Sequence, residues 1–188
     1  VLANVPMDMV LTNDPGDCGA VVTWAEPNAV DNCQISTFEP SLPSGTFFEV
    51  GVNVVTYTAV DIHGNFSSEN FVVTVNDNES PALNNMPADI TLNSEAGLCS
   101  AVVTWAEPQP SDNCAIDASG SSHLPGDTFL VGTTEVTYST TDIHGNSISA
   151  SFNVTVLDEE MPMITDMPAS RQLQTDPGQC GAMAQWTE

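Results

Sequence analysis

Cys18-Gly19-Ala20-Val21-Val22-Thr23-Trp24 returns as Cys99-Ser100-Ala101-Val102-Val103-Thr104-Trp105, and a third time as Cys180, Ala182, Ala184 and Trp186. Within each copy the Cys, the small apolar residues and the Trp occupy alternate positions. That is the period-two pattern of a strand with one buried face, and it puts cysteine and tryptophan on the core side. From Cys18 to Cys99 and from Cys99 to Cys180 the offset is a constant 81, with no insertion or deletion between copies. The same offset relates Pro6, Pro87 and Pro168, Asp31-Asn32-Cys33 and Asp112-Asn113-Cys114, Asp61-Ile62-His63-Gly64-Asn65 and Asp142-Ile143-His144-Gly145-Asn146, and Asp77 and Asp158. Self-similarity at one fixed period is the signature of a repeat array. The 188 residues therefore divide into repeat 1 (1–80), repeat 2 (81–161) and the opening of a third repeat (162–188), too short to close a sandwich.

Exchanges between the copies sort inward from outward positions. Val55 and Tyr57 persist as Val136 and Tyr138 while Val54 becomes Glu135; Phe71, Val73 and Val75 persist as Phe152, Val154 and Val156 while Val72 becomes Asn153. The retained residues share one parity and belong inside. Asp14-Pro15-Gly16, Pro43-Ser44-Gly45 and His63-Gly64-Asn65 supply residues that tolerate tight turns. No window shows helical periodicity. The pattern predicts an all-β chain of tandem immunoglobulin-like β-sandwiches with roughly seven short strands per repeat.

One Lys+Arg against 25 Asp+Glu gives a net charge of -24. A surface so poor in cations excludes nucleic acid and anionic lipid as partners, because both are bound by clustered Lys and Arg. Divalent cations are the partners it favours, and the charge also keeps a long polymer soluble. Apolar residues alternate with Thr and Ser and form no spanning run, so direct membrane insertion is not expected. Val1 opens directly into repeat sequence, as expected of a segment whose export signal stands further upstream.

Cys18 with Cys33 and Cys99 with Cys114 are the expected disulfides, leaving Cys180 with a partner beyond residue 188. Two cysteines per repeat without a nearby histidine do not make a four-ligand zinc site. Closing so short a loop stabilises each repeat by about 3 kcal/mol in the chain-entropy treatment. Structural disulfides also point to a secreted, cell-surface or extracellular location.

The chain resembles the HYR (hyalin repeat) family over its whole length. The resemblance rests on Pro87-Ala88-Asp89-Ile90-Thr91, the cysteine followed by Ala-Val-Val-Thr-Trp, Asp-Asn-Cys, Phe129-Leu130-Val131-Gly132-Thr133-Thr134-Glu135-Val136-Thr137-Tyr138, Thr141-Asp142-Ile143-His144-Gly145-Asn146 and Phe152-Asn153-Val154-Thr155-Val156. It implies immunoglobulin-like extracellular modules associated with cell adhesion and with long surface proteins, including repetitive bacterial adhesins. Many family members carry a second cysteine pair that is missing here, so one disulfide per repeat is expected.

The acidic segment Val75-Asn76-Asp77-Asn78-Glu79-Ser80-Pro81 is similar to the calcium-binding linkers of cadherins. On that likeness Asp77, Asn78 and Glu79 meet Glu107, Asp142 and Asn146 of repeat 2 around Ca²⁺, and Asp158, Glu159 and Glu160 meet Glu188 at the next junction. The plainer reading is that these residues form turns and Pro81 stiffens the linker, with no metal needed. His63 and His144, one per repeat and without a neighbouring nucleophile, read as turn residues, and no catalytic role is assigned. Trp24 and Trp105 read as core by their parity with the cysteines. Asn65-Phe66-Ser67, Asn78-Glu79-Ser80 and Asn153-Val154-Thr155 match the N-glycosylation pattern. The stretch that varies most, Gln34–Phe47 against Ala115–Thr128, is the candidate for ligand recognition. The expected function is a non-catalytic extracellular stalk or filament that supports surface adhesion, its partners being the neighbouring repeats. The alternative is a module that itself binds glycan or protein multivalently.

Overall fold

The computed structural model describes residues 1–167 and 169–185. Repeat 1 contains β1 (Leu2–Ala3), β2 (Met9–Thr12), β3 (Gly19–Val22), β4 (Asn28–Ala29), β5 (Ile35–Pro40), β6 (Thr46–Glu49), β7 (Gly51–Asp61) and β8 (Phe66–Asn76). Repeat 2 reproduces them as β9 (Ala82–Asn84), β10 (Ile90–Asn93), β11 (Ser100–Val102), β12 (Gln109–Ser111), β13 (Ile116–Ser121), β14 (Thr128–Leu130), β15 (Gly132–Asp142) and β16 (Ser147–Leu157). The eight strands of each repeat exceed the expected seven because one layer is broken into short pairs. These are β1 with β4 and β3 with β6, matched by β9 with β12 and β11 with β14. The facing layers are four-stranded, in the orders β2-β8-β7-β5 and β10-β16-β15-β13.

Strand β2 runs parallel to β8, with Met9 opposite Val73 and Thr12 opposite Asn76. The chain thus enters a repeat at one end, here called the leading pole, and leaves at the other, the trailing pole. Repeats built this way queue head to tail.

The two cores use the same positions. Ala20, Val22, Phe48, Val55, Tyr57, Phe71, Val73 and Val75 are buried in repeat 1, and Ala101, Val103, Phe129, Val136, Tyr138, Phe152, Val154 and Val156 in repeat 2. Trp24 packs edge-on against Phe71, ring centroids 5.1 Å apart, and its indole N–H donates to the Tyr57 hydroxyl at 2.7 Å. Trp105 repeats this with Phe152 at 5.4 Å and Tyr138 at 2.7 Å. Both indoles are half-buried, with the ring in the core and the polar edge satisfied at its margin. Burial raises the Tyr57 phenol above its ordinary 10.0, and the hydrogen bond it donates to Glu26 adds to the rise.

The expected Cys18–Cys33 and Cys99–Cys114 pairs are not formed. Cys18 bridges to Cys114, 96 residues away, with Cα atoms 4.7 Å apart, while Cys33, Cys99 and Cys180 are free and exposed. The reason is the direction of β3. Cys18 stands at its trailing-pole end, where the Asn13 N–H bonds the Asn76 carbonyl and the Val50 N–H bonds the Cys18 carbonyl. Cys33 lies past β4 at the leading pole, where the Ile62 N–H bonds the Gln34 carbonyl and the Val30 N–H bonds the Val1 carbonyl. A short separation in sequence spans the length of the sandwich, so a repeat's own cysteines sit at opposite poles and face its neighbours.

Among the described residues none after Leu157 is in a strand. The third copy does form its turn, with the Asp176 N–H bonding the Gly181 carbonyl at 2.9 Å as Asp14 bonds Gly19 and Glu95 bonds Ser100. Pro168, Trp186 and Glu188 lie outside the described residues.

Candidate functional site

The trailing pole of repeat 1 shapes its own exit. The Glu79 N–H bonds the Asp77 carboxylate, the Asn78 N–H bonds the Asn13 side-chain oxygen, and the Glu79 carboxylate accepts from the Gly16 N–H at 2.9 Å. This fixes the linker against the turn of the repeat it leaves. The equivalent contacts recur in repeat 2, from the Glu160 N–H to Asp158 at 3.0 Å and from the Gly97 N–H to Glu160 at 2.8 Å. Glu159 accepts from the Asn93 side chain at 2.8 Å.

The leading pole of repeat 2 supplies the other half. In the turn after β15, Asp142 accepts from the His144 and Asn146 N–H groups at 2.8 and 2.9 Å and from the Asn146 side chain at 2.8 Å. Gly145, at φ 94°, takes the left-handed conformation that this turn requires. Asp142 is 1% exposed. Burial is the largest influence on its carboxyl and pushes the pKa up. The bonds from the Asn146 side chain and from the His144, Asn146 and Gly145 backbone together outweigh it, holding the group below its ordinary 3.8. Asp112 folds over its own turn and accepts from the Cys114 N–H at 2.9 Å.

The halves meet at Asp77, whose side chain is fully buried. One Asp77 oxygen lies 3.0 Å from His144 Nδ1, and the other accepts from the Asn113 side chain at 3.2 Å. Asn113 also donates to the Asp17 carbonyl at 3.2 Å, and Asn146 to the Asp77 carbonyl at 3.2 Å. The Cys18–Cys114 bridge closes the same surface. One carboxylate oxygen from each of Asp77, Asp112 and Asp142 lies within 4.8 Å of the others, and Asp112 Oδ1 and Asn113 Oδ1 are buried without a hydrogen-bond partner. Three acidic groups so placed, beside one histidine and two unsatisfied oxygens, form a concentrated negative site built of oxygen donors.

Of the residues singled out in the sequence, Asp77, Asp142 and Asn146 come together here. Asn78 and Glu79 turn back onto repeat 1. Glu107 is exposed and lines a groove of about 340 Å³ over Tyr138 with Leu83, Pro110 and Ser119. Asp158 and Glu159 stand at the trailing pole of repeat 2. Asp112, Asn113 and His144 belong to the junction and were missed there. Their signal was present: Asp-Asn-Cys and Asp-Ile-His-Gly-Asn are unchanged between copies although both are loops, and an unvarying loop needs a reason beyond turning the chain. The Asn65-Phe66-Ser67 pattern is exposed throughout, whereas in the Asn153 pattern Asn153 is exposed but Val154 is buried in β16.

The groove over Tyr138 is closed at the matching place in repeat 1. In repeat 1 Phe38 stacks on Tyr57, centroids 5.4 Å apart, and Glu26 accepts from the Tyr57 hydroxyl. Ser119 replaces Phe38 in repeat 2 and leaves the space open.

Two head-to-tail β-sandwiches with matching cores and a covalently bridged acidic junction define a tandem-repeat module. The chain belongs to the HYR domain family, whose profile matches residues 2–75 and 76–156. It is 38% identical over 153 residues to hyalin of Lytechinus variegatus, covering 78% of this chain and 29% of that protein. Hyalin of Strongylocentrotus purpuratus is 33% identical over 181 residues, covering 92% and 15%. The rat sushi, von Willebrand factor type A, EGF and pentraxin domain-containing protein 1 is 32% identical over 157 residues, covering 80% and 4%. The chain thus spans less than a third of the length of these relatives. Among solved structures, human protocadherin-24 EC1-2 aligns over 82% of this chain and 96% of its own at 15% identity and a TM-score of 0.32. No helix among the described residues is long and apolar enough to cross a membrane.

Proposed function

We propose that this chain is a segment of a non-catalytic extracellular stalk or filament that supports cell-surface adhesion, with each repeat locked to the next. The observation that carries this reading is the Cys18–Cys114 bridge, which ties the trailing pole of one sandwich to the leading pole of another. A flexible string of beads has no need of it, whereas a strut that holds something at a distance does. Similarity to hyalin and the start of a third repeat support the same reading. Small-angle scattering tests it: the oxidised protein shows one narrow distance distribution between the repeats, and Cys18→Ser with Cys114→Ser broadens it. An oxidised profile as broad as that of the variant overturns the proposal.

The same junction is suited to a divalent cation. Asp77, Asp112, Asp142 and Asn113 offer the hard oxygen ligands that Ca²⁺ takes, and the partnerless Asp112 and Asn113 oxygens favour this reading. A bound cation would neutralise carboxylates that a chain with a single Lys or Arg leaves uncompensated. Titrating metal-free protein with Ca²⁺ gives heat and a rise in melting temperature that Asp112→Ala abolishes; no heat and no rise overturn it. Ligand binding by each repeat fits less well, because the groove over Tyr138 is filled by Phe38 in repeat 1. Glycan-array binding that is lost in Ser119→Phe is the result that favours the ligand-binding alternative.

A further inference from the structure

Both free poles carry a finished half of the junction seen between the repeats. At the trailing pole of repeat 2, the Val131 N–H bonds the Cys99 carbonyl at 3.0 Å, as the Val50 N–H bonds that of Cys18 at 3.2 Å. The linker is tied back through Glu160 as it is through Glu79. At the leading pole of repeat 1, the Cys33 N–H bonds the Asp31 carboxylate at 3.0 Å, as the Cys114 N–H bonds Asp112 at 2.9 Å. The turn of Asp61, His63 and Asn65 copies that of Asp142, His144 and Asn146 bond for bond. Cys99 and Cys33, exposed and unbridged, occupy the places of Cys18 and Cys114.

We propose that the Cys18–Cys114 linkage recurs at every junction, Cys99 pairing with the second cysteine of the following repeat and Cys33 with the first cysteine of the preceding one, so that the array contains a continuous covalent path that bypasses most of each repeat. This rests on the stalk reading and deepens it. Each bridge joins two thiols into one S–S bond. Two protons and two electrons pass to a disulfide-bearing exchange partner of the oxidising compartment, which is reduced to a dithiol.

The consequence follows from the order of the cysteines. Each bridge spans 96 residues, more than one period of the repeat, so successive loops overlap: Cys99 comes before Cys114 in the chain. A load arriving at Cys18 crosses to Cys114, runs back along the short segment to Cys99 and crosses again. Fully extended, that segment spans about 50 Å, to which each bridge adds its 4.7 Å. A folded repeat is already at least as long as its 11-residue strand β7, about 36 Å. Unfolding a bridged repeat therefore releases about 20 Å. Without bridges it releases about 240 Å. Pairing within repeats, Cys18 to Cys33, hides only the loop between them and releases nearly as much as no bridge. The array behaves as a cable that keeps its length even when its sandwiches fail.

Single-molecule stretching of the array isolated with its neighbouring repeats, before and after reduction, reads this directly. Oxidised molecules extend by about 20 Å for each unfolded repeat and reduced ones about tenfold more. Unfolding steps of about 200 Å in oxidised molecules overturn the proposal. Peptide mapping without reductant gives Cys99 linked 96 positions onward; a Cys99–Cys114 peptide overturns it. An array with the mapped linkages but broad interdomain scattering sinks the stalk reading and leaves the covalent path standing. Narrow scattering with linkages inside repeats does the reverse.

Discussion

The leading poles of the two repeats are chemically the same surface in two situations. Asp31, Asn32, Cys33, Asp61, His63 and Asn65 of repeat 1 meet no other repeat among the described residues, whereas Asp112, Asn113, Cys114, Asp142, His144 and Asn146 of repeat 2 receive the end of repeat 1. Docking changes the burial and leaves the internal bonds alone. Asp61 keeps all three hydrogen bonds of Asp142 but is only half-buried, and its carboxyl is held below 3.8 chiefly by the Asn65 side chain. The turn is therefore a property of one repeat and the junction a property of two. A pole built in advance loses little entropy when its neighbour arrives.

The sharpest way to break this comparison is to remove cysteine from each pole. Replacing Cys18 and Cys114 by Ser removes a 96-residue closure, worth roughly 4–5 kcal/mol in the chain-entropy treatment. In the isolated pair of repeats, where no preceding repeat reaches Cys33, Cys33→Ser at the same place on the other leading pole changes stability by less than about 0.5 kcal/mol. Urea unfolding of both variants reads the difference, and equal effects would mean that the bridge does not span the junction.

The paired aspartates give the next effect. Asp142→Ala strands buried donors and costs about 2–3 kcal/mol, while Asp61→Ala, where water can replace the carboxylate, costs clearly less. The buried carboxyl also sets an acid limit. Since the folded-state pKa of Asp142 is depressed, its contribution is complete above the ordinary value of 3.8 and is lost as pH falls through the lower folded value. Melting temperature followed downward from mildly acidic pH falls once the solution passes below 3.8, and Asp142→Ala flattens that fall.

The smallest effect concerns the hydroxyl-bearing cores. Ser119→Phe rebuilds over Tyr138 the aromatic pair that Phe38 makes with Tyr57, and stabilises repeat 2 by about 0.5–1.5 kcal/mol. Differential unfolding of the two repeats by hydrogen exchange measures it. No gain would mean that the groove over Tyr138 is held open by something other than a missing side chain.

Strand parity and exact register made the fold legible, because burial on alternate positions is written residue by residue: Val55, Tyr57, Val73 and Val75 are inside as their retention between copies requires. The bridge was not legible in the same way. Parity says which face Cys18 occupies but not how far along the sandwich Cys33 has travelled, and pairing the nearest cysteines assumes that separation in sequence approximates separation in space. Asp77, Asp142 and Asn146 were named through the likeness of the acidic linker to cadherin linkers. Asn113 and His144 act through hydrogen bonds across the junction; their unvarying loops marked them as constrained, but not that the constraint lies in the neighbouring repeat.

Cysteines at opposite poles also impose an order on biosynthesis. A nascent chain presents Cys18 first and Cys33 soon after, long before Cys114 has been made. The first oxidising encounter available is thus the wrong one, and what prevents it is the sandwich itself, which carries the two thiols apart as soon as it folds. Each repeat must mature ahead of its own oxidation, then hold Cys18 in reserve until the next has matured behind it. Maturation of such a chain is paced by folding, and a repeat that folds slowly would be trapped in a closed loop with nothing left to offer its successor.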